Sequence, residues 1–200
     1  MKKITISTLL ISSMLPFVTK ADFSAELLLG SANQESSTSA HSTSGDDVSF
    51  GIRGSYSLNE YVFLEAAYQN YSESTETQVI NDSGDKVTDK LNSTALNVGV
   101  RGNWVLDKNI SLNARAGFSF WDAELEQTYS AYPNDKFKAD NNDHEIYYGI
   151  GAQYEINSKF TVGIEYTIIN MNILIQKGPK YPVTADFDVK NLSLSLGYKF

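Results

Sequence analysis

The chain has 200 residues, of which 42% are hydrophobic, and it carries 16 basic and 24 acidic residues and no cysteine. This length allows a single domain with short appendages. The acidic excess argues against nucleic-acid binding, which depends on Lys and Arg at the phosphates, and the lack of cysteine excludes disulfides and thiolate metal sites.

The first 21 residues have the pattern of a secretory signal peptide. Lys2 and Lys3 precede an apolar stretch from Ile4 to Val18, and Thr19-Lys20-Ala21 offers a small-residue cleavage site. The stretch is too short for a spanning helix, which needs roughly 20 apolar residues. We therefore expect a signal peptide over residues 1–21 and one domain over residues 22–200.

Eight later segments alternate between apolar and polar or small residues. A period of two gives a strand one apolar face, and each segment is near the roughly 9–11 residues of a tilted membrane strand. We predict an all-β fold, an eight-stranded antiparallel up-and-down transmembrane β-barrel. Its predicted strands are Phe23–Ala32, Val48–Leu58, Tyr61–Tyr71, Thr94–Leu106, Ile110–Trp121, His144–Ile156, Phe160–Met171 and Phe187–Phe200.

The connections between these segments differ in length at the two ends. Three are short turns beginning at Asn59, Asp107 and Asn157, and four are long polar loops, roughly 33–47, 72–93, 122–143 and 172–186. This asymmetry is typical of barrels in the bacterial outer membrane. It predicts that the short turns and both termini are periplasmic and that the long loops, which contain Pro133, Pro179 and Pro182, are extracellular.

Aromatic residues collect near both ends of the strands, as two interfacial girdles would require. The alternative is the ordinary enrichment of aromatic residues in strands. The group near the short turns is Tyr56, Trp104, Tyr154, Phe160, Tyr198 and Phe200, and the group towards the loops is Tyr68, Phe118, Phe120 and Tyr148.

Charged residues occupy the strand face that alternation assigns to the interior. An eight-stranded barrel is filled by its own side chains, and an unpaired buried charge is costly. We therefore expect a plug of ion pairs; the alternative is a gated path for protons or small ions. The inward positions are Glu26, Arg53, Glu65, Arg101, Arg115, Glu145, Glu155, Glu165 and Lys199.

Four stretches, residues 51–68, 113–121, 154–166 and 194–200, resemble the transmembrane domain of the outer-membrane protein A family in their order and spacing. The resemblance covers nearly all of the predicted mature chain and implies an OmpA-like eight-stranded barrel. It does not include the periplasmic peptidoglycan-binding domain, so cell-wall anchoring is not implied.

The resemblance also implies roles for particular residues. Glu65, Arg101, Arg115 and Glu165 match interior charges of the family, and Gln153 completes the set of expected lumen residues. Gln153 stands where the family has a gating glutamate and Gly163 where it has the arginine partner, so this switchable pair is missing here.

The last strand carries a further implication of the resemblance, because a terminal aromatic strand is read by the barrel-assembly machinery. The expected assembly signal is Leu192, Leu196, Tyr198 and Phe200. Other expected partners are outer-membrane lipids and lipopolysaccharide.

No catalytic or cofactor site is expected. The two histidines are His41 and His144, and neighbouring His144 and Glu145 point to opposite faces of a strand. No Ser-His-Glu arrangement follows from the spacing, which argues against an enzyme. The stretch Asp140–Asp143 lacks the spacing of a calcium loop, so we expect no metal site and no cofactor.

Two functions remain open from the sequence. The first is a structural outer-membrane barrel that supports envelope integrity and presents adhesive loops, with Tyr129, Tyr132 and Phe137 either binding a host or envelope ligand or packing on the rim. The second is a narrow porin-like channel. A third reading, a soluble exported barrel with an apolar pocket, conflicts with the charges on the inward face.

Overall fold

The computed structural model describes residues 23–38, 41–79, 84–176 and 183–200. Eight antiparallel strands form a closed barrel in chain order, which confirms the predicted fold class. The predicted signal peptide lies outside the described residues. The strands are β1 (Phe23–Thr38), β2 (His41–Ser57), β3 (Val62–Val79), β4 (Lys86–Asp107), β5 (Ile110–Tyr129), β6 (Tyr132–Glu155), β7 (Phe160–Gln176) and β8 (Val183–Lys199).

Alternation along each strand sets the polarity of the wall. Leu27, Ile52 and Ile150 point outward and are 60% exposed or more, whereas the inward-facing Arg53 and Glu165 are buried. This belt of exposed apolar residues has the polarity of a transmembrane barrel. It contradicts the reading as a soluble barrel with an apolar pocket, which needs the reverse arrangement. No helix in the described part of the chain is long and apolar enough to cross a membrane.

The segments predicted as long loops are largely strand. β5 and β6, for example, continue past Phe120 and His144 and remain paired as far as Tyr129 and Tyr132. The sequence pattern missed these extensions because outward positions above the belt become polar, so the apolar alternation stops while the hydrogen-bonded ladder continues. Pro133 lies at the second residue of β6, in an irregularity of the ladder, where its missing N–H does not break the pairing.

The upper part of the barrel separates into two half-sheets of four strands. In the described residues, β2–β3 pairing ends at Phe50 and Asn70, and β6–β7 pairing ends at Tyr147 and Ile169. Pairing continues upward within β2-β1-β8-β7 and within β3-β4-β5-β6. We call the second group the β3–β6 half-sheet.

The β3 backbone departs from regular strand geometry at Ser72, two residues after its pairing with β2 ends. This residue has a φ of 59°, and its N–H donates to Asn70 Oδ1 at 2.7 Å. Gln34 on β1 reaches across and donates from Nε2 to the carbonyl oxygen of Tyr71 at 3.1 Å. Ser93 on β4 donates to Gln34 Oε1 at 2.8 Å, so this buried amide joins the two half-sheets.

The tight turns form at the opposite end of the barrel. Asn59 Oδ1 accepts hydrogen bonds from the N–H groups of Tyr61 and Val62, and Asn157 Oδ1 does the same for Lys159 and Phe160. Asparagine side chains stabilise turns in this way.

The closing strand completes the wall beside the first strand. The Phe200 N–H donates to the Phe23 carbonyl oxygen at 3.0 Å, and the two rings lie 5.5 Å apart. Tyr198 makes edge contacts with Phe160 and Phe200. Leu192 and Leu196, from the same outward face, are about half exposed.

Candidate functional site: the closed lumen

Three arginines and three glutamates meet in the middle of the barrel. Arg53 Nη1 lies 2.8 Å from Glu26 Oε2, and Arg53 Nη2 lies 2.5 Å from Glu165 Oε1. Arg101 Nη1 lies 3.0 Å from Glu26 Oε1 and 3.2 Å from Glu65 Oε1. Arginine forks with carboxylates are among the stronger ion pairs in proteins.

Arg115 closes this arrangement into a ring. Its Nη1 contacts Glu165, and its Nε lies 3.7 Å from Glu65 Oε2. Positive and negative side chains therefore alternate without a break. The six residues of this ionic ring come from six different strands: Glu26, Arg53, Glu65, Arg101, Arg115 and Glu165.

The ring is buried and has further polar support. All six residues are at most 5% exposed. Ser55 donates to Glu65 Oε1 at 3.2 Å, and Arg115 Nη2 donates to Asn113 Oδ1 at 3.0 Å. A buried charge needs such partners to offset its desolvation. The equal numbers of arginines and glutamates make the ring neutral, so it fills the lumen as a cross-link between strands.

Other predicted lumen residues lie apart from the ring. Gln153 is only half-buried; it faces Gly163 in the β6–β7 register and donates to Thr161 Oγ1 at 3.1 Å. Glu155 and Lys199 pair with each other towards the short-turn end. Glu145 is half-buried opposite Ser119. The family resemblance grouped Gln153 with the residues of the ring, but in the structure Gln153 lies apart from them.

A vestibule of about 300 Å³ leads from the short-turn end to the ring. Its walls include Gln153, Glu155 and Lys199, and Arg101 lies at its inner end. The Arg101 guanidinium carbon lies 4.5 Å from the centre of the Phe63 ring, which holds the side chain over that aromatic face.

On the other side of the ring, the lumen contains a cluster of apolar side chains, with buried polar residues such as Gln34 and Ser93 beside it. This apolar layer consists of inward-facing residues that are at most 3% exposed: Ala32, Tyr71, Ala95, Trp121, Ala123, Tyr147, Ile169 and Val189. This layer was not predicted from the sequence, because polar residues were expected on the inward face. The signal was present, since these apolar residues occupy inward-facing positions of the alternating pattern. The ionic ring and the apolar layer close the lumen one after the other.

Glycines make room for the aromatic part of this layer. Gly99 and Gly117 face each other across β4 and β5, and Tyr147 lies over them. A Cβ atom on Gly117 would lie 2.8 Å from Tyr147 Cε1 and 2.2 Å from the Val98 carbonyl oxygen. The close approach therefore requires glycine.

The β5–β6 hairpin above the belt is held by surface ion pairs. Glu126 accepts hydrogen bonds from Lys136 at 2.6 Å and lies 2.8 Å from Lys138 Nζ. These lysines lower the pKa of the Glu126 carboxyl to about 2. Among the described residues, no group of three or more His, Asp or Glu side chains is placed to hold a metal ion.

Comparisons with solved structures support the fold. Ail, the attachment invasion locus protein of Yersinia pestis, is 12% identical, with a TM-score of 0.53 and coverage of 90% of this chain and 99% of that one. Neisserial surface protein A is 15% identical, with a TM-score of 0.53 and coverage of 88% and 97%. OprG from Pseudomonas aeruginosa is 10% identical, with a TM-score of 0.50 and coverage of 90% and 97%.

No curated protein matched the chain in a sequence comparison. The model of the outer membrane protein beta-barrel domain matches residues 5–200, almost the entire chain. This match agrees with the closed eight-stranded barrel and confirms the OmpA-like resemblance seen in the sequence. The chain therefore belongs to the outer membrane protein beta-barrel domain family, whose members are integral barrels of the bacterial outer membrane.

Proposed function

We propose that this protein is a closed structural barrel that stabilises the outer membrane and acts through the hairpins at its loop end. The observation that carries this proposal is the double closure of the lumen by the ionic ring and the apolar layer. A barrel of eight strands has an interior just wide enough for side chains. With the lumen filled, contact with other molecules falls to the outer surface.

The asymmetry of the connections supports an orientation. Short Asn-stabilised turns lie at one end, and paired hairpins project beyond the apolar belt at the other. Outer-membrane barrels carry short turns on the periplasmic side and longer connections outside. We therefore place both termini in the periplasm and the hairpins outside the cell.

The tip of the β5–β6 hairpin supports a surface-binding role. Tyr132 is 67% exposed, and Tyr129 and Phe137 are also exposed. Exposed aromatic residues are common in protein interaction sites. The Ail comparison structure contains a heparin analogue bound to that attachment protein, and an adhesive role for the present hairpins is our proposal.

A planar-bilayer measurement tests the closed lumen. We expect purified protein to give no steady conductance, because both closures must open before ions pass. A stable, large open-channel current from the folded protein would overturn the proposal. The folded state is checked by the mobility shift between unheated and boiled samples on electrophoresis.

Adhesion is tested with cells that display the protein. Replacing Tyr132 and Phe137 by Ser should reduce attachment to cultured epithelial cells, while Tyr61→Ser at the short-turn end should leave it unchanged. The hairpin variant and the control must reach the cell surface in equal amounts. Equal attachment by the hairpin variant would argue against this role.

The second candidate function is a narrow channel for ions or small solutes. The vestibule favours it, since it brings solvent as far as Arg101. The bilayer measurement separates the two functions directly.

An enzymatic role has less support: His144 is exposed, stacks on Phe120 and pairs with Asp143.

A further inference from the structure

A groove of about 450 Å³ lies on the outer surface of the β3–β6 half-sheet. It is built from two neighbouring rows of outward-facing residues, each of which runs across all four strands in register. The lower row is Tyr68, Leu96, Phe120 and His144, and the upper row is Asn70, Thr94, Asp122 and Asn142. All of these except Asn70 line the groove.

The lower row provides an aromatic floor. The rings of Phe120 and His144 are stacked, with centroids 6.0 Å apart and an angle of 25° between their planes. Tyr68 and Phe120 are about half exposed. An exposed aromatic surface of this kind suits the apolar face of a ring-shaped ligand.

The upper row provides hydrogen-bonding groups at the edge of that floor. Asp122 and Asn142 are both exposed and face each other across β5 and β6. Asp143 also lines the groove. Carboxylate and amide oxygens accept hydrogen bonds from hydroxyl groups, and an aromatic floor with such groups at its edge has the chemistry of a sugar-binding site.

The charge of the groove indicates that it recognises a sugar and not a phosphate. Among the described residues that line it, none is Lys or Arg, and two are aspartates. Phosphate recognition relies on Arg and Lys. The groove therefore fits the hydroxyl or amino groups of a sugar and repels a phosphate.

The position of the groove along the barrel axis indicates which kind of molecule carries the sugar. Below the aromatic row the same strands present Val98, Phe118 and Ile146, which are exposed and apolar. The boundary between the two rows is therefore the upper edge of the membrane belt. A ligand here has its sugar in the groove and its alkyl chains on the belt below.

We propose that this groove binds the sugar head group of a glycolipid in the outer leaflet. This rests on the proposed orientation, which places the hairpins on the outer side. Phe120 and His144 stack against the sugar ring, and Asp122 and Asn142 accept hydrogen bonds from its hydroxyl or amino groups. The site would tie the projecting half-sheet to the surrounding leaflet.

The test is a fluorescence anisotropy titration of fluorescently labelled lipopolysaccharide lacking its outer polysaccharide, with the purified full chain in detergent micelles. We expect saturable binding that weakens about tenfold in Asp122→Asn, since one charge-assisted hydrogen bond has about that value. Phe120→Ala should weaken it by about the same factor, since it removes the apolar ring that covers the sugar. Phe160→Ala is the control, because it removes the same ring from the outward face of β7 at the short-turn end, away from the groove and the belt below it. Its affinity should equal that of the wild type.

Competition identifies the recognised group. An enzymatically dephosphorylated form of the same glycolipid should compete at least as well as the intact form, and phosphatidylglycerol should compete poorly. Loss of competition on dephosphorylation, or equal competition by phosphatidylglycerol, would overturn the proposal. Equal binding by both groove variants and the wild type would also overturn it.

Two further measurements test, one each, whether the sugar belongs to a membrane lipid and whether the barrel has the proposed orientation. The deacylated saccharide should bind more weakly than the intact glycolipid, and equal binding would contradict a membrane source. Labelling of Ser130→Cys on intact cells with an impermeant maleimide tests the orientation independently. Absence of that labelling would count against the proposed function even if the groove binds glycolipid in micelles.

Discussion

Each glutamate of the ionic ring contacts at least two arginines, so no side chain of the ring can be removed without affecting others. Glu165 contacts both Arg53 and Arg115. Inward parity in the sequence indicates which charges enter the lumen. It does not indicate which charges pair, because pairing depends on how far each side chain reaches across the barrel. Gln153 shows this limit, since it stays near the wall with Thr161.

Glu165→Gln should strongly destabilise the barrel. The change leaves two buried arginines short of a carboxylate, and breaking a buried ion pair costs about 3–5 kcal/mol. Urea unfolding in lipid vesicles, followed by tryptophan fluorescence, measures this loss. The control is Glu73→Gln, which breaks an exposed pair with Lys90 and should have a much smaller effect. Equal effects in the two variants would show that the ring does not stabilise the fold.

Gly117→Ala should impair folding more than Gly102→Ala. A Cβ atom at Gly117 meets the backbone of Val98 and Gly99 at 2.2 Å and 2.5 Å, whereas a Cβ atom at Gly102 has its nearest neighbour, the Ala114 carbonyl oxygen, at 3.9 Å. The folded fraction after refolding into vesicles, read from the heat-dependent gel shift, compares the two. Similar folded fractions would mean that the β4 and β5 backbones can move apart without a loss of folding free energy.

The sequence predicted the number of strands, their order and which face of each strand points outward, because the lipid environment requires a period-two pattern in every strand of the wall. It could not predict where the strands end. Above the belt, outward residues such as Asp122 and Glu124 are solvated, and only the backbone ladder shows that β5 continues. The separation into half-sheets was also hidden, since no change in residue pattern marks where pairing ends at Asn70 and at Tyr147.

Deletion of Phe200 should lower assembly into the membrane more than it lowers export. The residue contributes a backbone hydrogen bond to Phe23 and aromatic contacts with Phe23 and Tyr198 at the closing seam. Quantifying the protein in the periplasmic and outer-membrane fractions measures both steps. Lys199→Ala provides a neighbouring control on the opposite face. Normal membrane levels of the shortened chain would contradict this prediction.

For the whole molecule, the lumen has two closures of different chemistry in series. The ionic ring fills the lumen with paired charges, and the apolar layer fills it with packed, mainly apolar side chains. An ion that passes the ionic ring still meets the apolar layer, where apolar side chains would displace much of its hydration water. Closure of the barrel is therefore a property of the two layers together.

Opening the barrel should require changes in both layers. We expect Arg101→Ala and Tyr71→Ala to give little current separately and clear channel openings when combined. Planar-bilayer recordings of the three variants, matched for folded protein, provide the measurement. A steady large current from Arg101→Ala alone would show that the apolar layer does not block ions.

The neutrality of the ionic ring has an electrical consequence. A potential across a membrane does work of about 2.3 kcal/mol per elementary charge for each 100 mV. Three guanidinium groups and three carboxylates that stay together have no net charge. A Donnan potential between periplasm and medium therefore exerts no net force on the ring, and the barrel should stay closed as the ionic composition outside the cell changes.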